Sequence, residues 1–145
     1  MNKFATEQLK RFNYLSSEIE AVYHEAALKF GLSDSAMLVL YAICNNGESC
    51  LLSDIIHLSG TSKQTINSAL RKLEAEGIVY LEAVNGKQKR VYLTKKGWEL
   101  ADHTVIRLLD IENSIYDSWS PEEMALYLTL TQRYLTALKE KIKEV

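Results

Sequence analysis

The chain is poor in cysteine, proline and glycine, and it has no long hydrophobic run. Its 145 residues include two cysteines, one proline and six glycines. Cys44 and Cys50 have no metal-ligand spacing and cannot build a disulfide framework, so we interpret both as buried or half-buried thiols. There is no Pro- or Gly-rich linker, low-complexity segment or internal repeat. We therefore expect a single domain over residues 1–145.

Membrane segments are also missing from the sequence. The longest apolar run, AMLVLYAIC at residues 36–44, is less than half the length that a bilayer crossing needs. The first residues, MNKFATEQLKRF, lack the apolar stretch of a signal peptide. We expect a cytoplasmic protein with no membrane partner.

Signatures of enzymes and metal proteins are absent too. No Ser/His/Asp or Cys/His set, Gly-rich phosphate loop or paired-carboxylate pattern stands out, so we expect no catalytic site and no cofactor. His24 with Glu20, and His103 with Glu99, share helix faces at a spacing of four, but two ligands do not make a metal site. We interpret both as surface pairs and predict no metal. His57 has apolar neighbours and is predicted to pack against them.

Charge is present but unevenly spread. The whole chain has a net charge of −2. Residues 61–97 carry eight basic and three acidic side chains, a balance of +5, while the rest of the chain carries −7. An acidic chain therefore contains one basic segment, which is typical of a nucleic-acid-binding surface.

Hydrophobic periodicity indicates amphipathic helices over most of the chain. We predict helices over residues 4–30, 33–45 and 53–59, one continuous helix from about 95 to 115, and a last one over 120–143. The start of the last helix is the clearest, because SPEE places Ser120 as N-cap, Pro121 at the first helical position and Glu123 in a capping box.

The segment TSKQTINSALRKLEAEG, residues 61–77, combines an apolar and a polar helix face. Ile66, Ala69, Leu70 and Leu73 centre on one side, and Gln64, Ser68 and Arg71 on the other, with Asn67 adjacent. Either Thr61 or Ser62 can serve as its N-cap. We predict that the apolar side packs on a core and the polar side faces a partner.

After Gly77 the apolar residues no longer recur every 3.6 positions, as in a helix, but every second position, as in a strand. The dipeptide Asn85-Gly86 lies between two strand-like segments, IVYLEAV and QKRVYLT. An Asn-Gly pair in this position is typical of a β-hairpin turn. A two-residue turn there would set Leu81 opposite Arg90. A three-residue loop of residues 85–87 instead pairs Val79 with Leu93, Leu81 with Val91 and Glu82 with Arg90. We predict the three-residue loop, because it collects the apolar residues on one face.

A short helix, a Gly-containing turn, a second helix with a polar outer face and a basic-tipped hairpin describe a winged helix-turn-helix. Such a helix enters the major groove, where Arg can bond guanine and Gln or Asn can bond adenine, and the wing reaches the minor groove or its phosphates. The predicted DNA-binding residues are Ser62, Lys63, Gln64, Thr65, Asn67, Ser68, Arg71 and Lys72 on the helix, with Asn85, Lys87, Lys89 and Arg90 on the wing.

The chain resembles the MarR family of bacterial and archaeal transcriptional regulators over nearly its whole length. The resemblance is most specific at residues 62–79, 85–97 and 120–140. It implies a mainly α (α+β) fold in which residues 34–97 form the winged helix-turn-helix and helices at 1–30 and 98–145 form a dimerisation lobe. The family's wing motif, Asp-x-Arg, is replaced here by Asn85-Gly86-Lys87. Lysine cannot donate two parallel hydrogen bonds as the arginine guanidinium does, and Asn85, which is uncharged, cannot form an ion pair as the aspartate of the motif can.

The resemblance implies a homodimeric repressor that binds double-stranded DNA at an inverted-repeat operator and is released by a small-molecule effector. The apolar stripes at residues 12–26 and 124–142 also favour a homodimer. The sequence does not identify effector-binding residues. Two alternatives stay open: a regulator that senses oxidation through Cys44 or Cys50, and a winged helix that binds protein. The protein-binding version should expose apolar residues where this chain has Gln64, Ser68 and Arg71.

Overall fold

The computed structural model describes residues 3–145, which form seven helices and a three-stranded antiparallel sheet. Residues 1 and 2, which begin the predicted dimerisation segment, lie outside the described residues. The elements are α1 (Glu7–Phe30), α2 (Asp34–Asn46), β1 (Ser49–Leu51), α3 (Leu52–Ser59), α4 (Lys63–Ala75), β2 (Val79–Asn85), β3 (Gln88–Leu93), α5 (Lys95–His103), α6 (Val105–Asp117) and α7 (Pro121–Ile142). The predicted mainly α winged helix-turn-helix with long terminal helices is confirmed.

The chain divides into two compact units, one extending to Arg107 and the other covering Leu108–Val145. In the first unit, α2 packs against α3 and α4, and α3 contacts the sheet. Leu40, Ile43, Ile55 and Ile66 are fully buried there. The core of this unit therefore lies beneath the helix-turn-helix and holds α3 and α4 in place.

The sheet contains a strand that the sequence analysis did not assign. β1 pairs with β3, so the strand order is β1-β3-β2. Three residues are too short for a period of two to stand out. β1 sets Cys50 beside Val91 and Leu51 beside Arg90, which makes β3 the central strand at the base of the wing.

The predicted hairpin register is confirmed along most of its length, but the predicted loop is wrong. The pairs Val79–Leu93, Leu81–Val91 and Glu82–Arg90 all occur. Nearer the tip, Asn85 pairs with Gln88 and the register shifts by a bulge between Ala83 and Asn85. The loop is therefore Gly86 and Lys87. Gly86 has a φ of +48°, which glycine adopts without steric cost, and the bulge absorbs the extra residue.

The other helices follow the prediction closely, with one break. Thr6 caps α1, so this helix begins three residues later than predicted, and the capping box of Ser120 and Glu123 is confirmed. The continuous helix predicted from 95 to 115 is interrupted at Thr104. The Thr104 hydroxyl donates to the carbonyl of Leu100 at 2.8 Å, while its amide bonds Ala101, three residues back. This local rearrangement ends α5 and begins α6.

The second unit consists of the remainder of α6 and all of α7. Tyr116, Trp119 and Tyr127 pack together where the two helices meet, with ring centroids 5.2 to 6.3 Å apart. No residue of α7 is buried.

No single helix within residues 3–145 is long and apolar enough to span a membrane. Helices α1 and α2 meet that criterion only when they are taken together, and they are bent by 96° at their junction.

Candidate nucleic-acid interface

The candidate recognition helix α4 is fixed to the core by the face that the sequence predicted. Ile66 exposes none of its surface, and Ala69, Leu70 and Leu73 are also buried. Ser62 is the N-cap, which decides between the two candidates, because its hydroxyl accepts from the Thr65 amide at 3.1 Å. The hydroxyls of Ser62 and Thr65 lie 2.8 Å apart. Packing and capping together hold α4 in one orientation.

The opposite face of α4 is open to solvent. Gln64, Ser68 and Arg71 are exposed, and Asn67 beside them is half-buried. Four further predicted contact residues on or at the start of α4 are exposed as well: Ser62, Lys63, Thr65 and Lys72. The helix therefore presents donors and acceptors that its own fold does not bury.

The end of α4 is attached to the start of α5. The Thr94 hydroxyl donates to the Gly77 carbonyl at 2.5 Å, and Lys96 Nζ donates to the Glu76 carbonyl at 2.9 Å. A Cβ at Gly97 would clash with the carbonyl oxygen of Ile78, so glycine is required by this close approach. These contacts position the C-terminal end of α4.

The wing presents Asn85, Lys87 and Lys89 to solvent near its tip. Arg90 differs, because it is half-buried and its Nη1 donates to the Ser49 hydroxyl of β1 at 3.0 Å. Arg90 was predicted to lie on the wing opposite Glu82, but its contact with Ser49 was not predicted. The structure ties Arg90 to the base of the wing, and the bond joins residues 41 positions apart, so no local pattern could have revealed it.

The basic character of residues 61–97 is accessible. In the part of the chain that the structure describes, no salt bridge neutralises a lysine or arginine of this segment; the bridges lie elsewhere, at His24–Asp34, Lys29–Glu25 and Lys143–Glu140. Exposed cations on α4 and on the wing are therefore available to anionic groups such as phosphates.

The two thiols lie in surroundings that keep them protonated. Burial, together with the negative charge of Asp102, raises the pKa of Cys44 to about 11. Burial and Asp54 raise the pKa of Cys50, and nearby Arg90 only partly opposes them. Reactive cysteines need an accessible thiolate, so these surroundings disfavour an oxidation sensor.

The histidines do not assemble a metal site. His24 Nδ1 donates to both carboxylate oxygens of Asp34 at 2.9 Å, so its partner is not the predicted Glu20. His103 Nδ1 donates to the backbone carbonyl of Glu99 at 2.7 Å. The prediction that His57 packs is wrong: Ile55 takes the core position and His57 is exposed. Within residues 3–145 no three His, Cys, Asp or Glu residues cluster in a way that could hold a metal ion.

Comparison with known proteins agrees with this geometry. Residues 30–90 match the model of the MarR family. A search of curated protein sequences finds no significant match.

Many solved structures share the fold. A MarR family regulator from Neisseria meningitidis is 16% identical and has a TM-score of 0.82, with 96% of this chain and 99% of that one covered. The S. aureus MepR–DNA complex is 20% identical, with a TM-score of 0.64 and coverage of 94% and 99%. Bordetella bronchiseptica BpsR, whose DNA binding is regulated by 6-hydroxynicotinic acid, is 18% identical, with a TM-score of 0.61 and coverage of 92% and 98%.

Proposed function

We propose that the chain is a member of the MarR family and acts as a DNA-binding transcriptional regulator, because residues 30–90 match the model of that family and the fold is shared with a MarR family regulator. In its finer form, the proposal is a cytoplasmic, bacterial homodimer that represses transcription from an inverted-repeat operator. A small-molecule effector releases it from that operator.

One observation carries the proposal: α4 buries its apolar face and exposes Gln64, Ser68 and Arg71 beside a basic wing. A protein-binding winged helix should expose apolar residues at those positions, so the polar face favours DNA. The similarity to MepR, which was solved in complex with DNA, supports the same conclusion.

We assign roles by the chemistry of each side chain. Arg71 can bond guanine O6 and N7 with two donors, Gln64 and Asn67 can bond adenine, and hydroxyl groups can bond bases or phosphates. Lys63 and Lys72 flank this face and neutralise phosphates, as do Lys87 and Lys89 on the wing. Ser62, Thr65 and Ser68 supply the hydroxyls, and Asn85 is a polar contact at the wing tip. Arg90 acts at the base of the wing, where Ser49 holds it.

Homodimerisation is supported by apolar surface that each unit leaves uncovered. On α1, Leu15, Ile19 and Val22 expose about half of their surface or more. On α7, Leu128 and Leu135 are similarly exposed. Leucine and isoleucine at helical spacing on so much open surface are typical of an obligate interface. A twofold dimer would set its recognition helices about one DNA turn (~34 Å) apart and require an inverted repeat.

Release by an effector requires differential affinity. The effector must bind the DNA-free arrangement of the dimer more tightly, because equal affinity for both arrangements would shift nothing. BpsR, which shares this fold, has its DNA binding regulated by a small aromatic acid. Compounds of that class are a reasonable first set to screen.

Selection of genomic DNA fragments by the purified protein, followed by sequencing, tests the proposal. We expect enrichment of a few fragments that share an inverted repeat with half-sites one turn apart. A double variant, Gln64→Ala with Arg71→Ala, is the matched control, since it keeps the fold and the phosphate contacts but loses base readout. Uniform retention by both proteins would contradict sequence-specific regulation.

A further inference from the structure

The wing exposes a valine next to its basic tip. Val84 exposes 51% of its surface, whereas Val79 and Val91 of the same hairpin expose 2% and 0%. The residues that follow it up to Lys89 are glycine or polar. A half-exposed valine in this position lies outside the hydrophobic core, so it adds little to the stability of the fold.

The backbone at Val84 is also irregular. Ala83 pairs with Lys89 and Asn85 pairs with Gln88, so the bulge leaves Val84 without a partner in the ladder. A bulge bends the strand and re-aims a side chain, and bulges are frequent beside functional sites. The irregularity therefore coincides with the exposed valine and lies directly before the tip.

We propose that Val84 is a DNA-contacting residue that packs its methyl groups against the deoxyribose wall of the minor groove. This inference rests on the proposed DNA-binding function and adds an apolar contact to it. The charges between residues 83 and 90 are all basic, namely Lys87, Lys89 and Arg90, which favours a polyanion as the surface that covers Val84. Apolar side chains are a regular means of contact for proteins that enter the minor groove.

The test measures operator affinity as a function of salt for Val84→Thr and Val84→Ile. Threonine keeps the β-branched shape but replaces a methyl with a hydroxyl, so we expect binding to weaken about threefold to tenfold, as the loss of a buried methyl predicts. Isoleucine should bind as tightly as valine or more tightly. Neither variant should change the salt slope, since no phosphate contact is lost, whereas Lys87→Ala should reduce it by about 0.9.

Val145→Thr makes the same substitution at an exposed terminal valine and should leave affinity unchanged. Thermal melting of every variant should match the parent, which checks that the wing is intact. Parent-like affinity in Val84→Thr, equal losses in Val84→Thr and Val84→Ile, or a reduced salt slope would overturn this inference alone. A parent protein that binds no DNA fragment selectively would overturn the proposed function and this inference together.

Discussion

Helices α4 and α7 carry similar hydrophobic patterns but use them differently. In α4, Ile66, Ala69, Leu70 and Leu73 follow helical spacing, and all four are buried within the first unit. In α7, a helix of 22 residues, the apolar residues are more numerous and none is buried. Apolar periodicity therefore predicts an apolar helix face, but it does not say whether the same chain buries that face.

The breadth of the two patterns explains the difference. The apolar side of α4 is narrow enough for one core, and the rest of that helix is polar. On α7, Leu126, Leu130 and Tyr127 extend the stripe of Leu128 and Leu135 around more than half of the helix circumference. A face that wide exceeds what one neighbouring layer covers, which supports our proposal that a second copy packs against α7.

The largest effect is expected from a charge on α7. Leu135→Glu should give a monomer and weaken operator binding on the order of a hundredfold or more, because two linked half-site contacts become separate ones. Analytical ultracentrifugation and operator titration would measure both effects. Thr129→Glu, on the polar side of the same helix, should leave the dimer intact. If the Leu135→Glu protein remained dimeric, our proposal that α7 packs against a second copy while α4 packs within its own chain would be wrong.

Truncation of one leucine on each helix would sharpen the comparison. Leu70→Ala should lower the free energy of unfolding by about 2 to 5 kcal/mol whatever the protein concentration, because its cavity lies inside one protomer. Leu128→Ala should destabilise the protein through its dimer. The unfolding midpoint of the parent should then shift between protein concentrations that differ about a hundredfold. Urea unfolding at both concentrations measures this, and a midpoint independent of concentration would argue against a dimer.

Smaller effects are expected at the residues that we propose to contact DNA. Arg71→Ala should relax preference at one base position in each half-site, at a cost of about 1 to 3 kcal/mol. Lys87→Ala should weaken binding to all sequences alike and lower the salt slope by about 1. Competition with operators mutated one base pair at a time would separate the two. If both variants bound like the parent, our assignment of their roles would be wrong.

The smallest effect is expected at Cys44. Its pKa of about 11, against 9.0 for an unperturbed thiol, leaves about a hundredfold less thiolate at neutral pH. Cys44→Ala and treatment with peroxide should both leave operator binding unchanged, and alkylation by iodoacetamide should be slow at pH 8. Release of the operator by peroxide in the parent but not in Cys44→Ala would revive the redox alternative.

The raised pKa also sets a direction for stability. The native state holds the Cys44 proton more tightly than the unfolded chain does. The contribution of this proton to the free energy of unfolding is therefore fully present below about pH 9 and is lost as the pH rises towards 11. Unfolding experiments across that range should show a larger loss of stability in the parent than in Cys44→Ala, since Cys50 and Tyr116, whose pKa values are also raised, remain in both proteins.

Much of the fold followed from local sequence. The buried face of α4, the capping box at Ser120 and the register of Val79 with Leu93 were all predicted, because each depends on residues within one element or one hairpin. The polar face of Gln64, Ser68 and Arg71 followed from the same periodicity. Helix spacing and caps act over a few residues, so they are readable from the chain alone.

Tertiary structure decided the features that join distant or competing residues. Arg90 donates a hydrogen bond to Ser49, which lies 41 positions away in the sequence. His24 bonds Asp34 rather than Glu20, although Glu20 is closer in the sequence. The bulge at Val84 replaced the predicted loop, although both arrangements share the same strand register. In each case several local solutions were available to the chain, and the packing of separate elements against one another selected one of them.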